Sequence, residues 1–241
     1  MISKQKTREI LSGYAFMTPT IIILGVFLAL PVICAIVLAF YRVQLLGEVD
    51  FRFAGLRNFI RIRDDERVWI ALSNTIQYVL IVVPSQTILA LLLALLLNAK
   101  IRGRSWFRVA FFLPTVTSSA VLTLIFMWIY NSNGLLNNFL DFLGLPTYNW
   151  LGDPEVALKG IMLMNIWATA PLFMVIYLAA LQDIPESLYE AASIDGATTW
   201  EKFWCITLPF LKPVTFFVIT IGIIGTCQLF DQSYIFSNGS G

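Results

Sequence analysis

Charged residues fall in clusters along this chain, and the stretches between them are long. Residues 10–41, 68–99 and 109–140 each run 32 residues without a charge, 160–182 runs 23 and 213–230 runs 18. A helix crossing the hydrocarbon core of a bilayer needs about 20 mostly apolar residues. The pattern therefore predicts five membrane-spanning helices, near 15–40, 72–97, 109–130, 160–181 and 213–236, the last with Asp231 close to its end. The expected fold class is all-α, a polytopic transmembrane helical bundle. Lys4, Lys6 and Arg8 before the first span have the look of a secretory signal. The apolar run is too long for one, and no Ala-x-Ala cleavage pattern follows it, so the segment reads as a retained span.

Composition sharpens this picture. Of the 241 residues 58% are hydrophobic and only 13% charged, against about 25% charged in a soluble domain; mean hydropathy is +0.78. A net charge of +1 offers no basic face for nucleic acid. There is no histidine, which removes histidine triads, histidine-ligated zinc and the usual proton shuttles. Cys34, Cys205 and Cys227 are far apart, lack metal or redox spacing and are expected as small core residues.

Lysine and arginine in short loops orient a membrane protein, being enriched on the cytoplasmic side. The N-terminal tail carries Lys4, Lys6 and Arg8, and the loop 98–108 carries Lys100, Arg102, Arg104 and Arg108 with no acid. Both read as cytoplasmic, two crossings apart. The loop 131–159, with Asp141, Asp153, Glu155 and Lys159, reads as external, and 183–212 returns to the cytoplasm. The loop 42–67 falls outside by alternation, although it holds six basic and five acidic residues.

Residues 183–213 are rich in local signals. Asp183 with Glu186 and Pro185 fits a helix start, and Gly196 fits the left-handed position that ends one. Leu188, Ala191, Ala192 and Asp195 share one side of that helix, whose expected length is about 11 residues or roughly 16 Å. Thr198 with Glu201 is a second capping box. Pro209 and Pro213 are expected to break or kink the chain as it re-enters the membrane. Two short helices with a glycine hinge follow. Glu190 and Asp195 offer charges for pairing, and the first helix has no lysine or arginine, unlike most membrane-surface helices, which points to a protein partner.

The series Glu190-Ala191-Ala192, Asp195-Gly196-Ala197, Ile206, Leu208-Pro209 and Pro213 resembles the EAA loop of binding-protein-dependent ABC importer permeases. The likeness extends through Asn74-Thr75, Leu97-Asn98-Ala99-Lys100, Phe107-Arg108, Phe111-Phe112-Leu113-Pro114, Gly134-Leu135-Leu136-Asn137 and Asn149-Trp150-Leu151. It is similar to the carbohydrate-uptake branch, which moves oligosaccharides and glycerol phosphates. The resemblance implies one permease domain over residues 1–241 in a prokaryotic plasma (inner) membrane, with its N-terminus and the loop 183–212 cytoplasmic. It implies two copies of an ABC ATPase holding ATP and Mg, a second homologous permease and an extracytoplasmic solute-binding protein. No cofactor, metal or catalytic residue is expected in this chain. The ATPase-coupling residues would be Glu190, Ala191, Ala192, Asp195, Gly196, Ala197, Leu208 and Pro209. The family usually continues past Phe230-Asp231 into a sixth helix, so a C-terminal helix is expected to be missing.

Polar groups inside spans face partner helices or a water-filled path. Gln77, Gln86, Asn165, Gln228 and Asp231, with Trp167 as a stacking surface, are the candidates for a sugar path. Pro84, Pro114 and Pro171 are expected to kink their helices. The chain lacks a Gly-x-x-x-x-Gly-Lys-Ser/Thr phosphate loop, so it is not itself the ATPase. The competing function is an ion-coupled secondary carrier, which calls for an acid buried mid-membrane; none lies in the first four spans.

Overall fold

The computed structural model describes residues 4–44, 50–99 and 103–236. Lys100, Arg102 and the Asn238-Gly239-Ser240-Gly241 ending lie outside the described residues, as do the side chains of Lys4, Arg104 and Arg108. The chain divides into two compact units, residues 1–71 and 72–241.

In the first unit, α1 (Lys4–Leu24) passes through a π turn at Gly25–Ala29 into α2 (Leu30–Leu38). Pro31 explains the wide turn: it has no N–H for the carbonyl of Phe27, and its ring would clash there. The Leu30 N–H donates instead to Gly25 O. A hairpin that the short sequence pattern did not reveal follows, β1 (Tyr41–Gln44) antiparallel to β2 (Asp50–Phe53), with Tyr41 opposite Phe53 and Val43 opposite Phe51. Next comes α3 (Arg57–Asp64). Asn58 Nδ2 donates to the carbonyls of Ala39 (2.8 Å) and Tyr41 (3.0 Å), holding α3 to the end of α2.

The second unit holds most of α4 (Glu66–Asn98), then α5 (Arg104–Val116), α6 (Ser119–Ile129), α7 (Leu135–Phe142), α8 (Pro154–Gln182), α9 (Glu186–Ile194), α10 (Thr199–Lys202), α11 (Leu208–Cys227) and α12 (Asp231–Phe236). Among the described residues four helical runs are long and apolar enough to cross a membrane: Arg8–Leu38, Glu66–Asn98, Val156–Gln182 and Thr199–Phe236. The third expected span is not one straight helix. Val109–Val116 and Ser119–Ile129 meet at 108° and make a fifth span only when taken together. Pro114 cannot donate to Ala110. The Thr115 and Thr117 hydroxyls donate to Phe112 O (2.7 Å) and Leu113 O (3.3 Å), competition that loosens a helix end. By contrast α4 and α8 run on through Pro84 and Pro171.

Two apolar clusters form the core. One joins Ala90, Ala94 and Leu97 of α4 to Phe173, Met174 and Tyr177 of α8 and Leu211 and Val218 of α11. The other joins Tyr78 and Val82 of α4 to Leu122 of α6, Met162 and Met164 of α8 and Phe236 of α12. Between them along α4 and α8 lie buried Gln86, Thr87 and Asn165. The three cysteines are all exposed, contrary to their expected core positions. Cys34 and Cys227 lie in the apolar helices α2 and α11, where a small polarisable side chain suits lipid as well as protein, and Cys205 lies in the loop 183–212.

The connection from α6 to α8 is held by one side chain. Asn137, 3% exposed, places Nδ2 within reach of the carbonyls of Tyr148 (2.8 Å), Ser132 (3.2 Å) and Asn131 (3.5 Å). Its Oδ1 accepts from Tyr148 N–H (3.2 Å) and Trp150 Nε1–H (2.9 Å). Gly134 permits the tight approach, since a Cβ there would lie 2.4 Å from Ile129 O. Replacing Asn137 by Ala strands several buried partners at once. Asn137→Ala is expected to destabilise the protein by about 2–4 kcal/mol, read as a lower Tm in detergent and early proteolytic cleavage between residues 131 and 150.

Candidate functional site

At one end of the second unit, α8 runs into a loop that the sequence marked out. Asp183 does not cap α9: its N–H still donates to Ala179 O, closing the last turn of α8. The cap position belongs to Pro185, and α9 has nine residues. Its far end follows the expected chemistry. Gly196 has φ +79°. Its N–H donates to Ser193 O (3.2 Å) and the Ala197 N–H donates to Ala192 O (2.8 Å), the paired closure in which glycine at the left-handed position avoids a Cβ clash.

The capping box is present: Glu201 N–H donates to Thr198 Oγ1 and Thr198 N–H to Glu201 Oε2. The Thr198 N–H and then its hydroxyl, both donating to Glu201 Oε2, hold the exposed Glu201 carboxyl below its ordinary value. Their contribution to the helix start is present above the usual carboxylate range and is lost as pH falls through the lowered value.

The second short helix is not separate. From α10 the chain passes through a π turn at Phe203–Thr207 directly into α11. The cause repeats that at Pro31: Pro209 has no N–H for Cys205 O, and Leu208 N–H donates to Phe203 O. Two side-chain bonds fasten α9 to this continuous helix. The hydroxyls of Tyr189 and Thr207 are 2.9 Å apart, and Lys202 Nζ donates to Ser193 Oγ at 2.6 Å. Tyr189, Ser193, Lys202 and Thr207 were not picked out from sequence. Tyr189 and Ser193 lie four residues apart on one helix face, and that spacing was the available signal. Glu190, Ala191 and Asp195 are exposed and Ala192 is half-buried.

Farther along α11 lies a polar layer. Thr169 Oγ1 lies 2.6 Å from Gln86 Oε1 and 2.8 Å from Asn165 O, with one hydrogen for two acceptors. Asn165 Nδ2 donates to Gln232 Oε1 at 3.1 Å. Here the chain breaks between α11 and α12, and a cavity of about 200 Å³ opens, lined by Ser119, Asn165, Gly225, Gln228, Asp231 and Gln232. The structure thus gathers Asn165, Gln228 and Asp231, and joins Gln86 to them through Thr169. Ser119, Thr169 and Gln232 were missed; Thr169 is four residues from Asn165, on the same face of α8.

Gln77 is exposed on α4. Nine residues from Gln86 is two and a half turns, which puts it on the opposite side. Trp167 is about half a turn from Asn165 and faces a separate apolar groove, against Phe126 with centroids 5.5 Å apart. The cavity therefore offers amides, a hydroxyl and a carboxylate, groups that hold a polar solute by hydrogen bonds. Among the described residues no three potential metal ligands cluster.

Residues 69–241 match the family described as "Binding-protein-dependent transport system inner membrane component". The chain is 37% identical over 233 residues to the lactose transport system permease protein LacF of Rhizobium radiobacter, covering 95% of this chain and 77% of the relative. It is 36% identical over 241 residues to the trehalose/maltose transport system permease protein MalF of Thermococcus litoralis, covering 99% and 81%. It is also similar to one chain in the crystal structure of a bacterial ABC transporter that imports the acidic polysaccharide alginate. There the TM-score is 0.79 at 27% identity, over 97% of this chain and 79% of that one.

Close approach of α11 to α4 depends on Gly222. A Cβ at that position would lie 2.6 Å from Gln86 Nε2 and 3.4 Å from Val83 Cγ1. Gly222→Ala is expected to displace the Gln86 amide from Thr169 and to cost about 1–3 kcal/mol, measured as a drop in Tm. Shortening the opposing side chain in the double variant Gly222→Ala with Gln86→Ala should recover part of the loss.

Proposed function

The chain belongs to the binding-protein-dependent transport system inner membrane components, the membrane-spanning permease subunits of ABC importers, and from that premise we propose the parts its residues take in import. The protein is a translocation subunit, not an enzyme, and the ion-coupled carrier reading gives way to that membership. It acts as one permease domain in the inner membrane, with the N-terminus and the loop 183–212 in the cytoplasm. Two copies of an ABC ATPase hydrolyse Mg-bound ATP below it, a second similar permease completes the path, and a solute-binding protein delivers a sugar from outside. Relatives named for lactose and for trehalose/maltose support the sugar assignment.

The observation that carries the coupling assignment is the way α9 is presented. Its far end is closed at Gly196, and Glu190, Ala191 and Asp195 stay exposed. Ile194 is left 87% exposed, an apolar side chain that a protein cleft would cover. The helix is bolted to α11 through Tyr189–Thr207 and Lys202–Ser193. Glu190, Ala191, Ala192, Asp195, Gly196 and Ala197 form the docking element, and Leu208 and Pro209 start the helix that carries its movement. At the other end Asn165, Gln228 and Asp231, with Ser119 and Gln232, contact the solute, while Gln86 acts through Thr169. Gln77 and Trp167 are away from this path.

Two substitutions test the docking element. Glu190→Lys places a like charge against whatever basic group the acid meets, and Gly196→Pro removes the N–H to Ser193 O and forbids a positive φ. Each is expected to lower ATP-driven uptake by more than about tenfold and to reduce the ATPase that co-purifies, with membrane insertion intact. Normal uptake and normal co-purification in both variants overturn the assignment.

A further inference from the structure

The relatives leave the charge of the solute undecided, since lactose, trehalose and maltose are neutral while alginate is acidic. We propose that Asp231 sets this property: the cavity at the α11–α12 break accepts uncharged polyhydroxylated sugars and turns away carboxylated, sulfated or phosphorylated ones. The proposal rests on the reading that this cavity contacts the solute.

The cavity carries one carboxylate and no described basic side chain. In residues 72–241 the described basic groups are elsewhere. Lys159 is six residues from Asn165, about 9 Å up α8 and two-thirds of a turn round it. Lys202 is engaged with Ser193. Lys212 is thirteen residues before Gly225, about 20 Å away along α11. Among the described residues, then, no basic side chain lines the cavity beside Asp231.

The other lining groups suit a neutral sugar. Asn165 and Gln232, 7% and 8% exposed, use one amide hydrogen and one amide oxygen on each other. That leaves Asn165 Oδ1 as an acceptor and Gln232 Nε2 as a donor for the solute. A sugar hydroxyl both donates and accepts, so a vicinal pair can donate to the Asp231 carboxylate in charge-assisted bonds. An anion in the same space brings a second negative charge. At a separation of about 5 Å and an effective dielectric of about 20, repulsion disfavours it by well over tenfold.

Asp231 also has a local structural role as the first residue of α12, where a negative or hydrogen-bond-accepting side chain suits the helix start. Asparagine has nearly the same shape and keeps an accepting oxygen, so Asp231→Asn removes the charge with little other change.

The test is equilibrium binding to the purified complex with its partner subunits, both nucleotide-free and trapped with ATP and vanadate. The probes are radiolabelled lactose and maltotriose against trigalacturonate and glycerol 3-phosphate. The wild-type complex should bind at least one neutral sugar roughly tenfold or more tighter than either acid, by a margin that shrinks as salt is raised. Asp231→Asn should bring the ratio to within about threefold, and Asp231→Lys should reverse it. An acid bound as tightly as the sugars by wild type, or a ratio that Asp231→Asn leaves unchanged, overturns the charge selection and leaves the cavity as a contact site. If no probe binds in either form, or if binding is indifferent to Asn165→Ala and Gln228→Ala, the cavity assignment falls and takes the proposal with it.

Discussion

A polar side chain in the hydrocarbon region must find a partner inside the protein, and this constraint organises the second unit. Gln86, Thr169, Asn165 and Gln232 come from three places in the sequence and satisfy one another across α4, α8 and α12. Apolar clusters lie on either side and fix the level at which the polar groups meet. Gly222 brings α11 close enough to enclose the Gln86 amide. Any one of these amides on a lone span would be a cost; together they fix the register of the helices. The cavity follows from this layer, because the chain breaks beside it and leaves amide edges uncovered.

The same unit links the cavity to the loop mechanically. From Thr199 the chain stays helical through a π turn and α11, and twenty residues of α-helix span about 30 Å. A helix is stiff over that distance, which suits the proposed role, in which a displacement of α9 is passed to the break before Asp231. Pro209 does not interrupt the lever. Its missing N–H is absorbed by widening one turn, as at Pro31 in the first unit, and the helical path continues.

Much of this was legible in advance because a bilayer imposes length and polarity rules that show in a one-dimensional pattern. The long charge-free stretches marked the spans. Gly196 and the Thr198–Glu201 box marked local structure because they act within one turn of their own positions. What stayed hidden was set by tertiary contact. The 108° break at Thr117-Ser118 lies inside an apolar stretch that reads like any span. The β1–β2 hairpin is too short to show alternation. Gln77 and Gln86 look alike in sequence, and only the packing of α4 puts one in the polar layer and the other on an exposed face. Trp167 and Asn165 are two residues apart on α8, yet the helix turns them to different surroundings. The cysteines erred the other way: apolar neighbours were taken to mean burial, whereas in lipid an exposed helix face is apolar too.

Burial is distributed unevenly among the spans. The most apolar window is 56% buried in α8, 33% in α4 and 17% in the helix containing α11. α8 meets both apolar clusters and carries Asn165 and Thr169, so displacing it would disrupt the whole core. α11 packs against it near Leu211 and Val218, with Thr215 bonded to Tyr177 at 3.0 Å, and against α4 at Gly222. Most residues of α11 are exposed. A helix held along one edge, joined to the loop at one end and to the cavity at the other, can tilt against a rigid neighbour without unpacking the core. The difference in burial between α8 and α11 suits the proposed import role, in which the polar layer on α8 stays intact while α11 alters the opening beside it.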